Sequence, residues 1–230
     1  MSIDLYLDET TPVPDTLPLG IILGKKLPSS GVHSKIYEAT ISGNTGYIGK
    51  VIPISINDRP NCPSDFLLVK SELIITQEMS NKGIGPKVHA IALTRTEGTI
   101  VMDRYEGNLA ELLLLYQKNK NLSLDPILTT VRKLITNMHI NGIIHRDLIP
   151  ANILYRNDGT FVIADYGLAI RSNMFREDDW KFYDSLVALI ELIEKGEQFK
   201  SIKNINTASF PEGVEPLTLI WKGNECQDWQ

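Results

Sequence analysis

Cysteine is almost missing from this sequence. Cys62 and Cys226 are the only two in 230 residues, and they stand far apart with no metal-like spacing. A disulfide framework and a cysteine-based zinc site are therefore excluded. Two isolated thiols fit a reducing, intracellular compartment, cytoplasmic or nuclear. Long hydrophobic runs are missing too. The longest, residues 112–115 and 186–190, fall far short of the roughly 20 apolar residues a membrane span needs. There is no excess of basic charge: the net charge is -5 and the sequence pI about 5.4. This composition carries no nucleic-acid signal. Residues 1–10 hold three acids and no base, which does not read as a secretory signal. No internal repeat or low-complexity tract is present. With 43% hydrophobic and 22% charged residues, the chain can bury a sizeable core without metal or disulfide staples.

Residues 1–18, rich in Thr, Pro and Asp, read as an N-terminal tail or arm. From there the chain favours strands. Residues 21–23, 35–41 and 47–52 carry β-branched and aromatic side chains, separated by Pro28-Ser29-Ser30-Gly31 and Ser42-Gly43-Asn44-Thr45-Gly46. Both separators are turn chemistry, so three antiparallel strands follow. Two prolines make residues 57–63 a loop. Ser64 or Asp65 can cap a helix whose apolar positions Phe66, Val69, Leu73 and Ile74 recur at helical spacing up to Gly83. Residues 88–93 and 99–102 read as two more strands.

Beyond Tyr105 the periodicity changes. Residues 109–116 are helical. Asp125-Pro126 predicts a helix start, with Asp as N-cap and Pro at the first helical position. Ile127, Val131, Leu134, Ile135 and Met138 form its apolar stripe, and Asn141-Gly142 ends it. Residues 153–155 and 160–164 flank Asn157-Asp158-Gly159, a hairpin signal. Residues 180–194 form a further helix. The expected division is a tail (1–18), a strand-rich lobe (19–103) and a mainly helical lobe (104–230).

One segment concentrates the chemistry: His145-Arg146-Asp147-Leu148-Ile149-Pro150-Ala151-Asn152, then, past the hairpin, Asp165-Tyr166-Gly167. Asp147 and Asn152 lie on the loop between helix and hairpin. The hairpin folds the chain back, so Asp165 can return towards Asn152. Carboxylate and amide oxygens of this kind suit Mg²⁺ and phosphates.

These motifs resemble the protein-kinase superfamily, whose catalytic loop reads H-R-D-L-x-x-x-N and whose metal motif reads D-F-G. Tyr166 replaces the Phe. The resemblance implies a two-lobed α+β fold: a small lobe of antiparallel strands plus one helix, and a truncated, mainly helical second lobe. It implies ATP and Mg²⁺ as cofactors and a protein substrate, with Ser/Thr the expected acceptor. By position, Lys50 would hold the α/β-phosphates and Glu72, rather than Glu78, would orient it. Asp165 and Asn152 would bind the metal, and Asp147 would receive the acceptor hydroxyl's proton. Gly31 is the one glycine left where the phosphate-covering loop should have three. Ile36 and Ile48 would line the adenine pocket. Met102 would be the gatekeeper, and Asp103, Arg104 and Tyr105 the hinge whose backbone groups bond adenine.

The departures are specific. Ile149 stands where Ser/Thr-specific members carry Lys. No Ala-Pro-Glu motif follows Gly167, and 12 residues separate it from Trp180. Only 35 residues follow position 195. This plan resembles RIO-type and casein-kinase-type enzymes, the small kinase of the tRNA-threonylcarbamoylation complex, and minimal kinases of large DNA viruses. Arg146 would meet a phosphorylated segment, with Ser172 the expected phosphosite, or would pair locally. Asp179 or Asp184 would brace the catalytic loop. His33, His89 and His139 read as surface or packing residues, and residues 210–230, with Trp221 and Trp229, as packed on the second lobe or meeting a partner. Two other readings stay open: a pseudokinase or ATPase-like switch acting through a regulatory protein partner, and a small-molecule kinase, for whose helical insert the chain has little room.

Overall fold

The structure is a computed structural model that describes residues 11–28, 34–55, 65–118, 124–172, 177–199 and 202. Gly31, the loop expected at 57–63, both cysteines and the segment 210–230 lie outside the described residues. The chain divides into two compact units. Of the described residues, the first holds those up to Arg104 and Asp165–Gly167; the second holds Tyr105–Ala164 and those from Leu168 to 202.

The first unit is an antiparallel sheet and one helix. Strands β1 (Ile21–Lys26), β2 (Lys35–Ile41), β3 (Asn44–Pro53), β4 (Val88–Leu93) and β5 (Glu97–Asp103) lie in the order β1-β2-β3-β5-β4. Between β2 and β3 the turn is only Ser42-Gly43, both at positive φ (50° and 79°). Two such residues make the mirror-image turn that matches strand twist. The strand therefore resumes at Asn44, earlier than residue composition suggests.

Helix α1 (Asp65–Asn81) ends where Gly83, at φ 68°, lets Ile84 and Gly85 donate back to the Met79 carbonyl. Its buried face differs from the one expected. Val69 and Leu73 are buried as expected, but Phe66 is 37% exposed and Ile74 only half-buried, and Ile75 and Met79 are buried in addition. Counting apolar residues alone misplaces the stripe, because Lys70, Glu72 and Thr76 are also buried on α1.

Pleating sorts the sheet's side chains by face. Ile36, Lys50 and Ile100 are register partners, as are Glu38, Ile48 and Met102 two residues away. All therefore project to one face. That face holds the cluster of Ile52, Val69, Leu73, Leu93, Ile100 and Met102, with Ile48 against it. The opposite face gathers Ala39, Ala90 and Val101, flanked by Leu17, Leu23 and Tyr47. Gly49 has no room for a side chain there, since a Cβ would collide with Leu23. Residues 11–18 are attached to this sheet: Leu93 N–H donates to the Pro14 carbonyl at 2.7 Å, Val13 packs on the first cluster and Leu17 on the second.

The second unit holds α2 (Leu109–Lys118), α3 (Asp125–Ile140) and α4 (Glu177–Glu194) with short strand pairs. Strands β6 (Gly107–Asn108), β8 (Ile153–Tyr155) and β9 (Phe161–Ile163) form one small sheet; β7 (Ile143–Ile144) and β10 (Ile170–Arg171) form another. The β8–β9 hairpin turns at Gly159, at φ 86°. The α3 stripe is buried as its spacing requires: Ile127, Val131, Leu134, Ile135 and Met138 are all in the core. Its start is one residue earlier than expected. Leu124, not Asp125, is the N-cap, and it offers no side-chain cap. Leu124 is 1% exposed and its carbonyl accepts from Ile127 and Leu128. Packing of an apolar side chain thus sets the boundary, and Asp125 sits in the first turn, where its charge favours the helix dipole. Asn141 and Gly142 (φ 71°) close the helix, Gly142 donating to the His139 carbonyl.

Candidate active site

In the first unit the site is a buried cation between two acids. Lys50 Nζ lies 2.7 Å from Glu72 Oε1 and 2.6 Å from Asp165 Oδ1. β3 supplies the lysine on the α1 face of the sheet, α1 supplies the glutamate, and the Asp165–Gly167 segment supplies the aspartate. Glu78, on the same helix, makes no such contact with Lys50. Lys50 and Glu72 are buried, whereas the Asp165 side chain is 49% exposed. Burial alone would push the Lys50 ammonium down; the Glu72 and Asp165 charges and hydrogen bonds outweigh it and hold the group above its ordinary range. Lys50 therefore stays charged through the neutral range. Asp165 has φ 67°, unusual for a residue with a Cβ. Two residues on, a Cβ at Gly167 would come within 3.0 Å of Glu72 Oε2. Gly167 is thus what lets the Asp165–Gly167 backbone approach the glutamate so closely.

Ile36 and Ile48 are half-buried on the same face, and Met102, 6% exposed, pairs in register with Ile48. At the end of β5, Asp103 N–H donates to the Lys87 carbonyl and Arg104 N–H to the Gly46 carbonyl, both at 2.9 Å. These two amides, expected among the groups that meet adenine, are committed to the sheet. Tyr105 opens the second unit, where its ring lies 4.5 Å from the Arg156 guanidinium carbon.

In the second unit the loop 145–152 is held by one buried carboxylate. Asp179, 1% exposed at the start of α4, accepts from His145 N–H (2.9 Å) and Arg146 N–H (3.0 Å) and pairs with His139 Nε2 (2.9 Å). Asp184 is exposed on the same helix. The choice between the two acids, open in the sequence, is settled by which one α4 turns inward. His139 is buried with its ring edge-on to Trp180, so its place is structural. Arg146 takes φ 64°, a conformation that persists only where the surroundings over-determine it. Its Nε donates to the Leu168 carbonyl at 2.9 Å, a local partner within this unit. Ser172 continues the β7–β10 pairing, its N–H donating to the Gly142 carbonyl.

His145 is fully buried. Its Nε2 meets the Ala164 carbonyl at 3.0 Å and its Nδ1 faces the Asp147 N–H at 3.3 Å. The neutral tautomer with hydrogen on Nε2 satisfies both bonds. Asn152 Nδ2 donates to the Asp147 carbonyl (2.8 Å) and lies 3.3 Å from Asp147 Oδ2. With its nitrogen so engaged, the amide presents its oxygen elsewhere, the atom a hard cation would use. Among the described residues no group of three or more His, Cys, Asp or Glu could hold a metal by itself. A few protein oxygens completed by water or phosphate is the habit of Mg²⁺.

Comparison with known proteins agrees with this chemistry. The family model described as "Protein kinase domain" matches residues 29–204. A probable cell division protein kinase of Encephalitozoon cuniculi is 27% identical over 157 residues, covering 66% of this chain and 52% of that protein. The serine/threonine-protein kinase srb10 of Schizosaccharomyces pombe is 26% identical over 172 residues, covering 68% and 44%. The MAP kinase kinase kinase SSK2 of Saccharomyces cerevisiae is 28% identical over 144 residues, covering 60% and 9%. The chain thus spans about half or less of the length of these relatives. A loop anchored on Asp179, a buried Lys50 paired with both Glu72 and Asp165, and a family match across most of the sequence lead to one assignment: the chain belongs to the protein kinase domain family.

Proposed function

We propose that this protein is an ATP- and Mg²⁺-dependent protein kinase that phosphorylates Ser or Thr hydroxyls of proteins, itself included, in an intracellular compartment. The observation that carries the reading is the Lys50–Glu72–Asp165 cluster, with Nζ 2.7 and 2.6 Å from the two carboxylates. A buried lysine held charged by two acids is a ready partner for the α/β-phosphates, because phosphate oxygens can share its ammonium with Glu72. In this reading Asp165 and the Asn152 amide oxygen would each offer an oxygen to Mg²⁺, which would supply charge neutralisation for the nucleotide phosphates. Asp147 accepts the proton of the acceptor hydroxyl as its oxygen bonds to the γ-phosphorus and the bond to the ADP oxygen breaks. Ile36, Ile48 and Met102 line the adenine side, Asp103 lends its carbonyl and Tyr105 its amide, and Gly31 belongs to the loop over the phosphates. The phosphoryl group is stabilised by positioning and charge rather than by a covalent intermediate.

A second reading has its own observation. Ile149 leaves one cation fewer beside Asp147, which suits an ATP-dependent switch that works through a protein partner. Turnover separates the two.

Ligand-dependent melting tests the nucleotide part. At 100-fold excess over Kd, Mg·ATP should stabilise the protein by about 2.7 kcal/mol, which is roughly 5–10 °C for a domain of this size. Excess EDTA should remove most of that shift. No shift with ATP, with or without Mg²⁺, would overturn the proposal.

A further inference from the structure

The outer face of the sheet carries a second polar cluster, away from the Lys50 face. Strands β4 and β5 are out of simple register there: Val88 pairs with Met102 but Ala90 with Val101. His89 is thus the extra residue of a β-bulge. Bulges re-aim side chains, often beside functional segments. In this bulge His89 Nε2 reaches Asp103 Oδ1 at 2.6 Å. The imidazole also lies edge-on to Tyr47, ring centroids 4.8 Å apart at 75°. Tyr47 is the register partner of Asp103 on β3, so the same three residues join three strands at one point. The side chains of His89 and Asp103 are 22% and 16% exposed, which shelters the bond from solvent competition.

The backbone around this point is tied in the same way. Asp103 N–H bonds the Lys87 carbonyl, just before β4, and Arg104 N–H bonds the Gly46 carbonyl, just before Tyr47. Asp103 is thus clamped by its amide and by its side chain, both to the β4 end. A plain antiparallel pairing would supply the amide bond but would not bring an imidazole onto Asp103. The sheet departs from regular pairing where it gains this contact.

We infer that His89 is a positioning residue for nucleotide binding: through Asp103 and Tyr47 it fixes the Asp103–Arg104 backbone that the kinase reading assigns to the adenine side. The effect is on where that backbone stands, so it governs affinity for the nucleotide and not the chemical step. This deepens the proposed function and, for nucleotide affinity, rests on it.

Two measurements on the full chain test it. The first is amide hydrogen exchange of the segment containing Asp103 and Arg104, without nucleotide. His89→Ala should raise exchange there roughly three- to tenfold, the scale of losing one sheltered, charge-assisted hydrogen bond, with α1 unchanged. His89→Gln keeps an N–H donor and should restore most of the protection. Unchanged exchange in His89→Ala overturns the inference, whatever the protein binds. The second is steady-state kinetics. His89→Ala should raise KM for ATP by a similar factor with kcat within about twofold. The His89→Ala/Asp103→Ala pair should cost little more than Asp103→Ala alone, since coupled residues are not additive. Equal losses in kcat and kcat/KM, or additive effects, would also overturn it. Failure of the wild-type protein to bind ATP would instead refute the kinase reading and leave the exchange result to decide the clamp.

Discussion

Asp147→Asn should lower kcat for phosphoryl transfer by about 10²–10⁴-fold, the range for loss of a positioned general base. Mg·ATP affinity should stay within about threefold, since Asp147 is assigned to the acceptor hydroxyl and not to the nucleotide. The substitution isolates basicity from shape. Asn152 Nδ2 donates to the Asp147 carbonyl and lies near its Oδ2, and an asparagine at 147 keeps an oxygen for both. Any loss then reports the missing proton acceptor rather than a collapsed loop. The check is kcat by label transfer beside Kd by calorimetry, and a variant that keeps more than about a tenth of the rate would remove Asp147 from the role.

Asp179→Ala should strongly destabilise the second unit. Its carboxylate is the shared partner of His145 N–H, Arg146 N–H and His139 Nε2. Alanine would leave buried donors without their acceptor and nothing to hold Arg146 at φ 64°. Removing one side of a buried charged network costs about 3–5 kcal/mol. Urea unfolding measures it. Asp179→Asn, with one acceptor oxygen instead of two, should fall between. Asp184→Ala, on an exposed position of the same helix, should stay within about 0.5 kcal/mol of wild type. A cost near 1 kcal/mol for Asp179→Ala would mean that the loop does not depend on this carboxylate.

Local signals in the chain carried much of this picture. Asn157-Asp158-Gly159 announces the hairpin because few residues tolerate its turn, and the α3 stripe announces a buried face because its apolar residues have no other use. The pairing of Lys50 with Glu72 is what the kinase resemblance implies, and the structure brings the two together. Other features depend on contacts that no local pattern encodes. Phe66 keeps the helical spacing of α1 yet stays partly exposed, because polar Glu72 and Thr76 share the buried face. Asp125 looks like a cap, but buried Leu124 determines where α3 begins. Pairs such as β7–β10, two residues long, leave no periodicity to detect. Asp179 and Asp184 differ only in the face of α4 they occupy, which packing decides. His89 reads as a surface or packing histidine and does pack on Tyr47; its bond to Asp103 becomes visible only when both strands are aligned.

The most direct measurement of the central claim is transfer of label from γ-labelled ATP by the wild-type protein with Mg²⁺. The acceptors are the protein itself and a generic Ser/Thr protein substrate, with Asp147→Asn as the blank. The account predicts label on Ser or Thr that requires Mg²⁺ and falls to background in the blank. Nucleotide bound with no label transferred to either acceptor would contradict it, and would leave this kinase domain acting as an ATP-dependent switch.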